Sequence, residues 1–397
     1  NLNFLTKKSY KSFDSLQSIN ASQIFDKKVV NYLNELSKAI FSDSRSKQYP
    51  DVTTFAFFCR RANITSIKKK YEDSSCTMIG HGIIFHIAPS NVPVNFAYSL
   101  VAGLLSGNIN IVRVPSKNFD QVQIIADAIN KIEKTNKEIA NKVILVRYSN
   151  DNASITNKFS ELCNVRLIWG GDNTINSIRK EPLQPRSFDV TFSDRYSICI
   201  INADEFVNEL NPSSIAAGFY NDTYLFDQNA CTSPHLIIWQ GSKKNVKVSQ
   251  QTFWSELHKL VKNRYKFQTI QAVDKITTFY NHSIAGNVIK NSNRNDNTLW
   301  RVTLNSLEKN IEKFRSNSGY FLEYQTSTLK NITPIINKKF QTMSYYGFNE
   351  DYLLNYIKNE TPKGIDRIVP IGKTMDFSMI WDGYDLIETL SRKIEII

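Results

Sequence analysis

The sequence predicts an α/β protein with a doubly wound parallel sheet and a second α/β domain. Three observations carry that expectation. Strand-like and helix-like runs alternate strictly from about residue 82 to residue 180, and prolines and glycines close the runs. At 397 residues the chain is also too long for one ordinary core, so two domains are expected.

The elements follow in order. The first eighty residues read as mostly helical, with LQSINASQIFDKKVVNYLNELSKAIF carrying apolar residues at three- and four-residue spacing. GIIFHIA (82–88) is a buried strand ended by Pro89, and PVNFAYSLVAGLLSG (93–107) is an apolar helix closed by Gly107. NINIVRV (108–114) is a strand ended by Pro115, FDQVQIIADAINKIEK (119–134) an amphipathic helix, and KVILVRY (142–148) a third strand. A short helix near 153–162 leads to a fourth strand, VRLIWGG (165–171), and then to DNTINSIRK. Such alternation predicts parallel strands joined by right-handed crossovers. From about residue 200 the strands SICIINADEF and HLIIWQ and the helices NPSSIAAGFYNDTYLF and TFWSELHKLVKNRY mark the second domain. The expected division is 1–203, with 366–397 returning to it, and 204–365.

Composition narrows the class. Hydrophobic residues are 41% and charged residues 22%, which suits a globular chain. No apolar run approaches the roughly 20 residues of a membrane span. The opening NLNFLTKKSYKSF lacks the apolar core of a secretory signal, so a cytoplasmic protein is expected. Five dispersed cysteines without a CxxC read as reduced thiols, and five histidines without HxxxH spacing give no metal site. The net charge of +12 points to anionic partners, but the lysines and arginines are dispersed in short clusters. A nucleic-acid surface would instead need a compact basic stripe with interleaved aromatics.

Candidate residues stand at the strand ends. FHIAPSNVPVN (85–95) turns without a GxGxxG, held stiff by Pro89 and Pro93 with Asn91 between them. Asn91 is either a fixed donor to a developing oxyanion or a helix N-cap. His86, inside the strand, reads as a core histidine. In VRVPSKN (112–118), Arg113, Ser116 and Lys117 with no adjacent acid favour the 2′-phosphate of NADP over the bare ribose of NAD, or else are surface charge. WGGDNTINS (169–177) offers backbone N–H groups to a pyrophosphate, or is an ordinary turn with an Asp cap. Cys59 and Cys199 sit in apolar runs and read as inert. Cys231, in the polar run TYLFDQNACTSPHLIIW (223–239), is a candidate nucleophile or a structural thiol.

At these residues the chain resembles a known family. HIAPSNVPVNFAYSLVAGLLSGNINIVRVPSK, LIWGGDNTI, FSDRYS, DQNACTSP, KKFQTMSYYGF and GIDRIVPIGKTMDFSMIWDGYDLI look like the LuxC-type acyl-CoA reductases. That family includes the reductase component of the bacterial bioluminescence fatty-acid reductase complex and belongs to the aldehyde dehydrogenase superfamily. The resemblance implies an aldehyde dehydrogenase-like fold with a Rossmann-type cofactor domain and a catalytic domain carrying the cysteine. It implies Cys231 as nucleophile, and Asn91 with the Cys231 N–H as oxyanion site. Cofactor contacts would fall on Pro89 and Ser90, on Arg113, Pro115, Ser116 and Lys117 at the ribose loop, on Gly170, Gly171 and Asp172 at the pyrophosphate turn, and on Thr191. His235 is a candidate proton shuttle or simply a strand-start residue.

Two departures from the superfamily are informative. Val114 stands where a lysine usually precedes the proline, which leaves the ribose to Arg113 or Lys117. Thr191 stands where hydrolytic members carry a water-activating glutamate. That favours NADPH-dependent reduction of a fatty acyl thioester, through an acyl-cysteine, to the aldehyde. The alternatives are an NAD(P)-dependent aldehyde oxidiser and, more distantly, a basic binding protein. Expected partners are acyl-CoA or an acylated carrier or partner enzyme of acyl-protein synthetase type. The superfamily also implies a homodimer or homotetramer.

Overall fold

The structure, a computed structural model, describes residues 2–6, 13–72, 77–90, 92–286 and 288–396. It divides into two compact units, one of Asn1–Ser193 and Ser378–Ile397, the other of Asp194–Phe377.

The first unit opens with strand β1 (Asn3–Phe4), helices α1 (Lys27–Ser42), α2 (Pro50–Phe58) and α3 (Arg61–Lys68), and strand β2 (Thr77–Gly80). The expected alternation follows: β3 (Ile83–Ile87), α4 (Asn95–Leu105), β4 (Ile109–Arg113), α5 (Asp120–Ile132), α6 (Lys137–Ala140), β5 (Val143–Arg147), α7 (Ala153–Leu162), β6 (Val165–Trp169), α8 (Asp172–Ile178) and β7 (Phe188–Phe192). The sheet order is β1-β5-β4-β3-β6-β7, parallel except for β1, which runs antiparallel to β5. Strand order reverses at β3, which lies between β4 and β6. In doubly wound sheets ligands bind at such a switch point, outside the carboxyl ends of the strands.

Every position of β3, β4 and β6 is buried. Parallel strands covered on both faces must be apolar on both, which is why these runs show no two-residue alternation. Ile83, Phe85, Ile87, Ile109, Ile111, Ile144 and Phe159 share one core. Burying each such side chain contributes about 1.5–3 kcal/mol. The buried helix α4 stops where Gly107 takes φ +87, and a Cβ there would meet the Ser22 carbonyl oxygen at 2.0 Å. Only glycine fits that close approach.

The second unit contains β8 (Tyr196–Asn202), α9 (Ala203–Phe206), α10 (Pro212–Thr223), β9 (Pro234–Gln240), α11 (Lys243–Arg264), α12 (Thr269–Ala285), β10 (Ile289–Asp296), β11 (Leu299–Leu304), β12 (Tyr320–Thr326), β13 (Phe340–Tyr346), α13 (Glu350–Glu360) and β14 (Arg367–Pro370). Its sheet runs β10-β11-β12-β9-β8-β13-β14, with β10 antiparallel to β11 and the others parallel. The two faces carry separate cores, one around Ile198, Leu236, Leu322 and Met343, the other around Phe219, Trp239, Phe253 and Phe321.

The chain then returns to the first unit. A short antiparallel pair, β15 (Ile380–Trp381) and β16 (Tyr384–Asp385), and α14 (Leu386–Thr389) lead to β17 (Ser391–Ile394), which pairs with β2. The divisions fall at 193/194 and 377/378, where the sequence suggested 203/204 and 365/366. Both differences have one cause. Strands β8 and β14 pair with β13 from opposite sides, so both belong to the second sheet.

Candidate active site

Cys231 lies on the connection from α10 to β9. Pro212 opens α10, and the Asn211 side chain caps it by accepting from the Ser214 N–H at 3.2 Å. Past one further turn, Asp227 and Gln228 both take left-handed backbone, φ +51 and +59. Each such non-glycine residue costs on the order of 1–2 kcal/mol, so other contacts must hold it. Gln228 has its own. Its side-chain amide donates to the carbonyls of Pro234 (2.9 Å) and Tyr320 (3.1 Å), while its oxygen accepts from the N–H groups of Gly319 (2.9 Å) and Tyr320 (3.3 Å).

Strands β9 and β12 pair in register from Leu236 and Leu322, so Pro234 and Tyr320 would pair two positions further out. Proline cannot donate to a ladder, and the Gln228 side chain bridges the gap it leaves. Beyond Gln228, the Ser233 N–H donates to the Ala230 carbonyl and the Ser233 hydroxyl to the Asp222 carbonyl. Ser197 Oγ donates to the Cys231 carbonyl at 2.6 Å, and Thr232 Oγ1 donates to Met375 Sδ at 3.3 Å. The cysteine therefore sits on backbone fastened at both ends.

Burial separates the thiols. Cys59, Cys163 and Cys199 are buried, whereas Cys231 is partly exposed. Burial pushes the Cys163 thiol up to about 12 and raises Cys59 and Cys199 further still, so none of the three yields a thiolate near neutrality. His235 lies inside β9, where its ring stacks on Tyr196 and Nδ1 meets the Ser316 carbonyl at 3.2 Å. Burial brings its pKa down to about 3. A neutral ring enclosed in this way does not support proton shuttling, and the strand-start reading describes it.

In the first unit the other candidates line up along the carboxyl ends of four adjacent strands. Arg113, Ile87, Ile168 and Thr191 form one row of register partners across β4, β3, β6 and β7. Just beyond that row come Pro89 and Ser90, then Pro115, Ser116 and Lys117, then Gly170, Gly171 and Asp172. Ser90, Ser116, Lys117, Gly171 and Asp172 are exposed, Pro89, Gly170 and Thr191 partly so, and Pro115 is buried. Asn91 lies outside the described residues.

The structure gives Arg113 partners within the chain. It is buried, its guanidinium lies 4.5 Å from the Tyr148 ring centroid, and it donates to the Tyr148 carbonyl and to Asn150 Oδ1. Its guanidinium is thus held by residues that follow β5. Sequence reasoning missed Arg147, which donates to the Pro115 carbonyl and to Asn118 Oδ1 and so holds the loop after β4. Beneath the loops, Trp169 Nε1 donates to Ser99 Oγ, Ser99 bonds His86 Nδ1 at 2.8 Å, and His86 Nε2 bonds Asn110 Oδ1 at 2.9 Å. Burial lowers His86 to about 4, so it is the neutral core histidine the sequence suggested.

The loops fit a dinucleotide. They ring a switch point, and a Cβ added at Gly171 would meet nothing within 4 Å, which leaves that turn open. Asn95 Oδ1, at the start of α4, is shielded from solvent and has no hydrogen-bond partner among the described residues.

A family model described as acyl-CoA reductase (LuxC) matches residues 10–393. The chain belongs to that family. A long-chain acyl-protein thioester reductase of Aliivibrio fischeri is 21% identical over 299 residues, 73% of this chain and 58% of that protein. One of Vibrio harveyi is 23% identical over 325 residues, 80% of this chain and 64% of that protein. The chain thus spans less than two-thirds of the length of either relative.

Among solved structures, a lactaldehyde dehydrogenase superposes with TM-score 0.65 at 10% identity, over 92% of this chain and 85% of its own. Aldehyde dehydrogenase 21 of Physcomitrella patens gives TM-score 0.65 at 11% identity, over 96% and 87%. This LuxC-family chain therefore has the aldehyde dehydrogenase fold. Gln228, Ser197 and Arg147, which position the loops, carried one signal in the sequence: Gln228 stands in the DQNACTSP segment beside Cys231.

Proposed function

We propose that this protein reduces a long-chain acyl thioester to the aldehyde through an acyl-Cys231 intermediate, with NADPH as cofactor. The observation that carries the reading is Cys231 itself. It is the partly exposed member of the four described cysteines, fixed on a braced loop in a LuxC-family chain.

The Cys231 sulfur attacks the thioester carbonyl, and the donor thiolate leaves with its electron pair. The Cys231 N–H and the Asn91 amide hold the developing oxyanion. The nicotinamide cofactor supplies the hydride when bound. Collapse of the Cys231 thiohemiacetal then releases the aldehyde and restores the thiolate. Pro89, Ser90, Gly170, Gly171 and Asp172 would frame the cofactor, and Ser116 with Lys117 would meet its 2′-phosphate, since Arg113 is engaged elsewhere. Thr191 brings no carboxylate to activate water against the acyl-enzyme.

The names of the relatives favour an acylated protein as donor. A net charge of +12 suits either an acidic carrier or the phosphates of CoA.

The test is acyl transfer. Wild type incubated with radiolabelled acyl-CoA or acyl-carrier protein, without cofactor, should retain label that Cys231→Ser loses. Label persisting in Cys231→Ser would refute the assignment. Faster turnover of aldehyde with NADP⁺ or NAD⁺ than of acyl thioester with NADPH would favour aldehyde oxidation instead.

A further inference from the structure

Resting on the acyl-cysteine reading above, we propose that Arg367 is the cation that keeps Cys231 in its thiolate form. Two separate chains of contact tie Arg367 to the loop that carries Cys231. Along the first, the Arg367 guanidinium donates to the carbonyls of Thr374 (2.7 Å), Lys373 (3.1 Å) and Asp376, which holds it against the 373–376 turn. Met375 of that turn accepts from the Thr232 hydroxyl, and Thr232 follows Cys231. Along the second, Arg367 is the register partner of Thr342 on the neighbouring strand. The Thr342 N–H donates to Ser197 Oγ at 3.2 Å, and Ser197 Oγ donates to the Cys231 carbonyl.

The electrostatics agree with this placement. Burial holds the guanidinium below the usual arginine range, and negative charge on Asp376, Asp222 and the Cys231 sulfur opposes that effect. An attraction between two groups is mutual, so the cation that a thiolate stabilises also stabilises the thiolate.

The other charged groups nearby are already committed. Asp222 is buried, accepts from the N–H groups of Gly372 (2.6 Å) and Thr374 (3.1 Å), and is pushed up to about 6 by burial. Asp376 pairs with Lys373 at 3.3 Å, and His235 is neutral. Arg367, by contrast, grips the turn that meets Thr232, the residue after Cys231. On ionisation the Cys231 proton passes to solvent. Attack then forms the sulfur–acyl carbon bond and breaks the bond to the donor thiol.

Alkylation of Cys231 by iodoacetamide, followed by peptide mass against pH, tests this without any acyl donor or cofactor. An ordinary thiol titrates near about 8.5. Wild type should reach half-maximal alkylation roughly one to two pH units lower. Arg367→Gln should move that midpoint up by about one unit and slow alkylation at pH 7 roughly tenfold. Arg367→Lys, which keeps the charge but not the three-way grip on the turn, should stay near wild type.

A wild-type midpoint at or above the ordinary value overturns the proposal with no variant needed. So does an unmoved midpoint in Arg367→Gln. Equal shifts in the Lys and Gln variants also overturn it, since the guanidinium would then act by holding the turn. Failure of the acyl-cysteine reading appears elsewhere, as missing acyl label on the wild type.

Discussion

Replacing Gln228 with alanine removes a single buried side chain that satisfies four backbone hydrogen bonds. Two carbonyls and two N–H groups then lose their partner at the place where Pro234 prevents the ladder from continuing. An unsatisfied buried group costs about 1–3 kcal/mol, and the longest of the four bonds, at 3.3 Å, contributes least. Partial relaxation of the loop offsets some of this, so the expected loss is roughly 3–5 kcal/mol.

Urea unfolding followed by tryptophan fluorescence reads that loss directly, because Trp239 and Trp254 lie in the core of the same unit. Alkylation of Cys231 at fixed pH reads the functional consequence, since the loop holding the thiol loses its anchor. Gln228→Glu should be at least as damaging. A carboxylate cannot donate to the Pro234 and Tyr320 carbonyls, and its charge would be buried against them. A loss below about 1 kcal/mol in Gln228→Ala, with unchanged alkylation, would refute the bracing role.

Three further outcomes are expected. Thr191→Glu should speed release of free acid from the acyl-enzyme by about tenfold or more, and an unchanged rate would mean that residue 191 does not face the thioester. Lys117→Ala should raise the KM for NADPH about tenfold and leave that for NADH unmoved, whereas Arg113→Met should lower the urea midpoint without altering cofactor preference. For Asp222, burial raises the folded pKa to about 6, above its unfolded value, so its share of stability is present in acid and lost as pH rises through 6. Measured as wild type minus Asp222→Asn, unfolding free energy should fall by roughly 2 kcal/mol from pH 4 to pH 7, and a flat difference would contradict the assignment.

Much of this was legible in the chain. The runs from GIIFHIA to VRLIWGG announced four of the parallel strands because residues buried on both faces must be apolar throughout. Their length, and the proline or glycine that ends three of them, distinguished them from helices. Cys231 stood out because its neighbours were polar while Cys59 and Cys199 sat in apolar runs. The two-residue β1 was not legible, since two residues carry no periodicity.

Chemistry along the chain and partners in space were decided separately. Local order determined which segments became strands, where each turned, and which residue types stood at the turns, because period and turn chemistry are properties of neighbours in sequence. Only the tertiary structure decided that Arg113 stacks on Tyr148, that His235 is enclosed, that Gln228 completes a ladder broken by proline, and that Arg367 is linked through Thr342 and Ser197 to the thiol loop. Those outcomes depend on strand order and register, which bring together residues far apart along the chain through hydrogen bonds that no local pattern encodes.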